Sequence, residues 1–171
     1  PPARDSTGHH RAVSCPPTRR ISWPPTGAGR QIATVGGVHE VFGPNDHEAF
    51  ERARDRLIED FAASGGGGFE HVAEQILDFK WGYLGGDLVN WSPADLDEVL
   101  FGLYPAKVLL DAEAIAEVPP GFASFLRFLA DRRPEHSPPF EVLAEYVELS
   151  ASRFISAMND EDNWSFGKRM W

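Results

Sequence analysis

Cysteine is almost absent from this chain: Cys15 is the only one in 171 residues, which excludes an internal disulfide and a thiolate metal cluster. Its position in a Pro/Arg-rich stretch argues against a catalytic thiol as well. Long apolar runs are missing too. None approaches the roughly 20 residues needed to cross a bilayer, and no charged start followed by an apolar core and a small-residue cleavage site marks a secretory signal. These absences lead us to expect no membrane partner and a cytoplasmic location. The chain does not begin with Met and its last residues read as an element cut short, so a fragment truncated at the C-terminus is expected.

Motifs that carry chemistry are also lacking. The run SGGGGFEH precedes a helical pattern, but a phosphate-binding loop needs Lys and Ser/Thr after its last glycine, and Phe69 and Glu70 follow here. Glu70 would repel an anion. His47 with Glu51 and His71 with Glu74 each place a ligand pair on one helix face, yet the Glu-x-x-His motif of di-iron bundles does not occur. Ser124, in Gly-Phe-Ala-Ser-Phe, lacks the glycine that follows the nucleophile in a Gly-x-Ser-x-Gly elbow. We therefore expect no metal, no cofactor and no catalytic residue.

What is present is an ordinary amount of apolar material, 42% of residues, with 25% charged, enough for one domain with a core. The charge is unevenly spread. Residues 1–36 carry Arg4, Arg11, Arg19, Arg20 and Arg30 against Asp5, a net +4, whereas residues 37–171 carry a net −14. An acidic body repels nucleic-acid phosphates and anionic lipid, so nucleic acid is an unfavoured partner, reached only weakly through the basic arm. The arm, rich in Pro, Arg, Ser, Thr and Gly, has too little apolar surface to offset the entropy of ordering and reads as disordered. Residues 32–42, IATVGGVHEVF, have the composition of a small hairpin turning at Gly36-Gly37.

From residue 44 onward the apolar positions recur at three- and four-residue intervals, the helical period. The spacing predicts a helix over 46–63 (Phe50, Ala53, Leu57, Ile58, Phe61), capped near Asp46 and ended by Gly65 to Gly68. A second covers 69–80 with Phe69, Val72, Ala73, Ile76 and Leu77 inward, stopping at Gly82. A third covers 93–103 with Leu96, Val99, Leu100 and Leu103 inward, ended by Tyr104-Pro105. After VLLDAEAIAEV, extended at first, Pro119-Pro120 restarts a helix carrying Phe122, Phe125, Leu126 and Leu129, with Arg132 and Arg133 at its negative end. The last runs over 140–158, burying Leu143, Val147, Ser150, Phe154 and Met158 and exposing Glu141, Glu145 and Glu148. The fold class is therefore all-α, a single bundle-like domain of about five to six helices in residues 37–171.

The most tightly specified stretch is LVNWSPADLDEVL, residues 88–100. Ser92 has the place of an N-cap, Pro93 the first helical position, and Asp95 completes a capping box, with Trp91 and Leu96 spaced as a hydrophobic staple. All of this is architecture. The polar residues set among aromatics in ILDFKWGY are the candidates for binding: Asp78, Lys80, Trp81 and Tyr83, joined across the connector by Asp87 and Trp91. The plainer account has Lys80 capping the helix dipole while Trp81 and Tyr83 seal the core.

Two segments carry a resemblance. AEQILDFKWGYLGGDLVNWSPADLDEVL with FGLYPAKVLLDAE, and the ending AMNDEDNWSFGKRM with Met158, Asp160, Asn163, Trp164, Gly167 and Lys168, are similar to a family of uncharacterised α-helical proteins from actinobacteria. The similarity spans about residues 46–171, and Ser165 and Phe166 lie between the Trp and the Gly of the ending. It implies an intracellular helical domain and no activity. Five tryptophans without a legible catalytic group lead us to expect a non-enzymatic interaction domain that binds a protein partner through an aromatic groove near Trp81, Tyr83, Trp91 and Trp164. The competing expectations are an enzyme or ligand-binding protein using a pocket carboxylate, Asp78 or Asp87, and weak nucleic-acid binding by the Arg-rich arm.

Overall fold

The spacing of Phe50, Leu57 and Phe61 becomes the buried stripe of helix α1 (His47–Phe61) in the computed structural model, which describes residues 41–133 and 137–170. Asp46 stands at the cap position, but its carboxylate turns back to accept from the Gly43 N–H (2.8 Å) and not from the helix. A wide π-turn (Ala62–Gly66) follows, in which Gly65 takes φ +108°. Helix α2 (Glu70–Tyr83) then buries Val72, Ala73, Ile76 and Leu77.

Helix α2 does not stop at Gly82. It runs to Tyr83 and is closed by Gly85 and Gly86, both at positive φ, with the Gly86 N–H donating to the Lys80 carbonyl (2.9 Å). Gly86 is also where the segment before α1 meets the end of α2: its carbonyl accepts from Phe42 N–H (3.0 Å), and Val41 forms an isolated antiparallel bridge with Asp87. A Cβ on Gly86 would stand 2.0 Å from the Phe42 carbonyl oxygen. Apart from this bridge, the hairpin expected over 32–42 lies outside the described residues, as does the whole arm 1–36.

Helix α3 (Pro93–Asp97) starts on a complete capping box: Asp95 N–H donates to Ser92 Oγ (3.2 Å) and Ser92 N–H to Asp95 Oδ2 (2.8 Å). Helix α3 was expected to end at Tyr104-Pro105; instead it passes through a π-turn (Glu98–Leu103) into α4 (Tyr104–Lys107). The reason is local. Pro105 has no N–H and its ring crowds the carbonyl of the preceding turn, and the wider turn, with Tyr104 N–H reaching back to the Val99 carbonyl, lets the helix absorb it. Leu96, Val99, Leu100 and Leu103 all face inward.

A second proline expectation fails for a different reason. Helix α5 (Ala112–Arg132), capped by Asp111, whose side chain accepts from Ala114 N–H (2.9 Å), passes unbroken through Pro119 and Pro120. Interior prolines cost about 3 kcal/mol each, whereas burying Ile115, Val118, Phe122, Phe125, Leu126, Phe128 and Leu129 contributes about 1.5 to 3 kcal/mol apiece. Burial wins. Gly121 brings α5 close to α2, since a Cβ there would stand 3.0 Å from Phe69 Cδ1 and Val72 Cγ2.

The helix expected over 140–158 is two: α6 (Ser137–Leu149) and α7 (Ala151–Asn159), hinged at Ser150. Leu143, Val147, Ser150, Phe154 and Met158 are nevertheless all buried, so the apolar stripe continues across the break. Short 3₁₀ turns at Glu161–Asn163 and Lys168–Met170 complete the chain's described part. The protein is all-α: among the described residues there are helices and turns, with no strand. The chain divides after Gly36, and the helices lie in the second unit, Gly37–Trp171, with α5 as the central helix against α2, α6 and α7.

Candidate functional site

The seven residues singled out for binding do not line one groove. Trp91 belongs to the core, edge-on to Phe122 (5.1 Å between centroids), with its Nε1–H donating to the Leu88 carbonyl (3.1 Å). Trp81 lies on the α1 side of α2, stacked on Phe50 (4.5 Å) with His47 at its edge (5.3 Å), and donates to the Gly43 carbonyl (3.1 Å). Trp164 sits at the end of α7, donating to the Met158 carbonyl (3.0 Å) under the Lys168 ammonium (5.0 Å). Each of these indoles is already committed to packing. Only Tyr83 remains open, 57% exposed, with the Lys107 ammonium over its ring (4.8 Å).

The polar members are tied up as well. Asp78 accepts from Arg54 Nη1 (2.9 Å), and Arg54 is held further by Asp55 and by the Phe50 ring, so burial of the guanidinium is outweighed and its pKa rises. Asp87 accepts weakly from Val89 N–H (3.4 Å). Lys80 is no dipole cap: it is 3% exposed, and its Nζ reaches Asp95 Oδ2 (2.8 Å) over the face of Trp91 (4.9 Å). Asp95 Oδ2 thus receives Ser92 N–H, Ser92 Oγ (2.9 Å) and a buried ammonium at once. The capping box was legible; its second use as counter-ion was not.

Two depressions on the described surface bear on a binding site. One of about 100 Å³ is floored by Leu57, Leu88 and Val89 and rimmed by Arg56 and the Arg132–Asp60 ion pair (2.7 Å). The other, open and about 410 Å³, is walled by Phe101, Arg153, Ser156 and Asp160, with the Arg153 guanidinium 3.8 Å above the Phe101 ring. Neither contains Asp78 or Asp87. His47 pairs with Glu51 (3.3 Å) as expected of that face, but His71 pairs with Glu117 of α5 (3.4 Å) and not with Glu74. Among the described residues no three His, Cys, Asp or Glu side chains gather as a metal would need. At the glycine-rich turn Glu70 itself accepts from Gly68 N–H (2.6 Å), where an anion would have to bind.

The side chains left unpacked are elsewhere. On α6, Val142 (43%) and Leu149 (74%) face water at a seven-residue spacing, and Tyr146 lies one helical step from them. Its hydroxyl donates to Asp97 of α3; burial, then this carboxylate, raise its pKa. Beside the line stands Glu145, while Glu141 and Glu148 flank Arg127 on α5, whose Nη1 reaches Glu148 Oε1 (2.7 Å) and holds that carboxyl below its usual range. The sequence signal existed: residues 142 and 149 interrupt an otherwise acidic helix face. A second exposed set, Tyr83, Leu109 and Phe166, surrounds the end of α4, where Lys168 Nζ and Ser165 N–H bind the Pro105 and Ala106 carbonyls (2.7 and 3.3 Å). Burial lowers the pKa of Lys168.

Comparison with family models, with curated proteins and with solved structures finds no match to this chain.

Proposed function

We propose that this protein is a non-enzymatic, helical interaction domain that binds a protein partner, with the contact made by exposed aliphatic and aromatic side chains and not by the tryptophans. One observation carries the reading: Leu149, Phe166 (80%) and Tyr83 keep more than half of their surface in water, while Trp81, Trp91 and Trp164 donate to carbonyls within the fold. Large apolar side chains left in water beside a completed core are what interfaces bury. The absence of a free carboxylate at Asp78, which Arg54 engages, supports binding over acid–base catalysis. The same reading puts the domain in the cytoplasm, supported by its single cysteine, and within the actinobacterial helical family that residues 46–171 resemble.

The test is a photo-crosslinking amino acid placed in the full chain at Tyr83, Leu149 or Phe166 and, as comparison, at exposed Arg52 on α1. The reading expects a macromolecular adduct in cells from at least one of the first three and none from Arg52. Equal yields at all four positions, or no adduct at any, overturn it.

A further inference from the structure

We propose that the exposed face of α6, together with the start of the α3 π-turn, is a docking surface for a basic amphipathic helix. The inference rests on the interaction-domain reading above and adds the partner's chemistry. At about 100° per residue, Val142 and Leu149 fall on one line of α6, Tyr146 on its flank toward α3 and Glu145 on the other. The Tyr146–Asp97 hydrogen bond fixes the α3 side of the face, so the apolar line is bordered by Glu145 on one side and by Asp97 and Glu98 on the other, all exposed, with the Arg153 guanidinium, seated over Phe101, close enough to act on the Tyr146 hydroxyl and offset part of that charge. Beyond Glu145 the carboxylates Glu141 and Glu148 already share Arg127, whereas Glu145 and Glu98 have no cation within ion-pair distance among the described residues.

Charge selects the occupant. An apolar line with carboxylates along both edges is complementary to a helix with Leu-type residues at i, i+4 and i+7 and Lys or Arg on either side. A second copy of this chain would bring Glu145, Glu98 and Asp97 against themselves, and an anionic membrane would meet the same repulsion. Residues 37–171 carry a net −14, so the long-range field draws the same cationic partner toward the face. Val142 to Leu149 span two helical turns, which matches two turns of a docked helix and sets a weak, fast-exchanging contact.

A synthetic helix of about 14 residues, with Leu on one stripe and Lys elsewhere, is the probe. It is titrated by calorimetry against the full chain, beside a scrambled peptide of the same composition and a version with Glu in place of Lys. Saturable binding of the first peptide alone is expected. Leu149→Ser should weaken it about tenfold, the loss of one buried leucine contact. Glu145→Lys should weaken it severalfold and reduce its salt dependence. Both positions are exposed, so unchanged thermal melting is the check that the variants fold. Equal binding of the scrambled peptide, no binding of the basic helix, or insensitivity to Leu149→Ser overturns the proposal. If the helix fails to bind while crosslinks persist at Tyr83 or Phe166, this inference falls and the interaction-domain reading stands; loss of the crosslinks removes both.

Discussion

Removing the Asp95 carboxylate should damage this protein far more than removing the lysine it pairs with. Lys80 is almost wholly buried, and Asp95 Oδ2 is the only carboxylate within ion-pair distance of its Nζ (2.8 Å) among the described residues. In Asp95→Ala the ammonium is left buried against Trp91 with no counter-charge, a loss of about 3 to 5 kcal/mol, and the α3 cap costs about 1 kcal/mol more. The sum approaches the entire stability of a typical domain, so Asp95→Asn, which keeps an acceptor for Ser92 N–H, is the practical variant. Lys80→Met is gentler. Its thioether fills similar space, and the orphaned Asp95, 19% exposed, retains two donors from Ser92, so about 1 to 2 kcal/mol is expected. The double variant Lys80→Met/Asp95→Asn should then be more stable than Asp95→Asn alone, because the uncompensated charge is gone. Urea denaturation of the four proteins followed by tryptophan fluorescence measures this cycle. Strict additivity, or equal costs for the two single variants, would refute the claim that burial of the ammonium is what makes Asp95 indispensable.

Two glycines should respond with opposite sign. Gly86→Ala drives a Cβ into the Phe42 carbonyl at φ +76° and breaks the Phe42–Gly86 hydrogen bond, for a loss of about 2 to 4 kcal/mol. Gly82→Ala, at an exposed position inside helix α2 with nothing within 4 Å of the new Cβ, should stabilise by about 0.5 to 1 kcal/mol; thermal melting of both variants checks the pair. Burial raises the Tyr104 phenol far above its ordinary pKa of 10.0, so the folded chain holds a proton that the unfolded chain releases. Its contribution to stability is therefore full below pH 10 and declines above it by up to about 1.4 kcal/mol per pH unit, and Tyr104→Phe should flatten the alkaline limb of a stability–pH curve; an unchanged slope would refute this.

The apolar stripes were readable because helical periodicity is a local property: Leu96, Val99, Leu100 and Leu103 needed only their own spacing to be assigned inward. Helix ends were less readable. Pro105 reads locally as a stop and Pro119-Pro120 as a fresh start, and a π-turn in one case and extensive burial in the other make the helix continuous through them. Ser150 shows the reverse, a hinge with neither Gly nor Pro to announce it, because the apolar spacing on its two sides is in phase.

For the candidate site the limit was pairing across the fold. Trp81 and Trp91 are ten residues apart and near the same helix end, yet α2 turns one toward α1 and the other lies in the core. Lys80–Asp95, Arg132–Asp60 and Tyr146–Asp97 join residues on different helices, and no spacing along the chain encodes such partners.

The amino-acid sequence alone determined the all-α class, the inward stripes and the Ser92–Asp95 capping box, since each depends on residues within a turn or two of one another. Only tertiary packing decided which charges became counter-ions and which side chains were left in water, Leu149 and Val142 among them. Those outcomes are set by which helix faces meet, a relation among residues distant in the chain, and exposure is simply what remains after the faces have met.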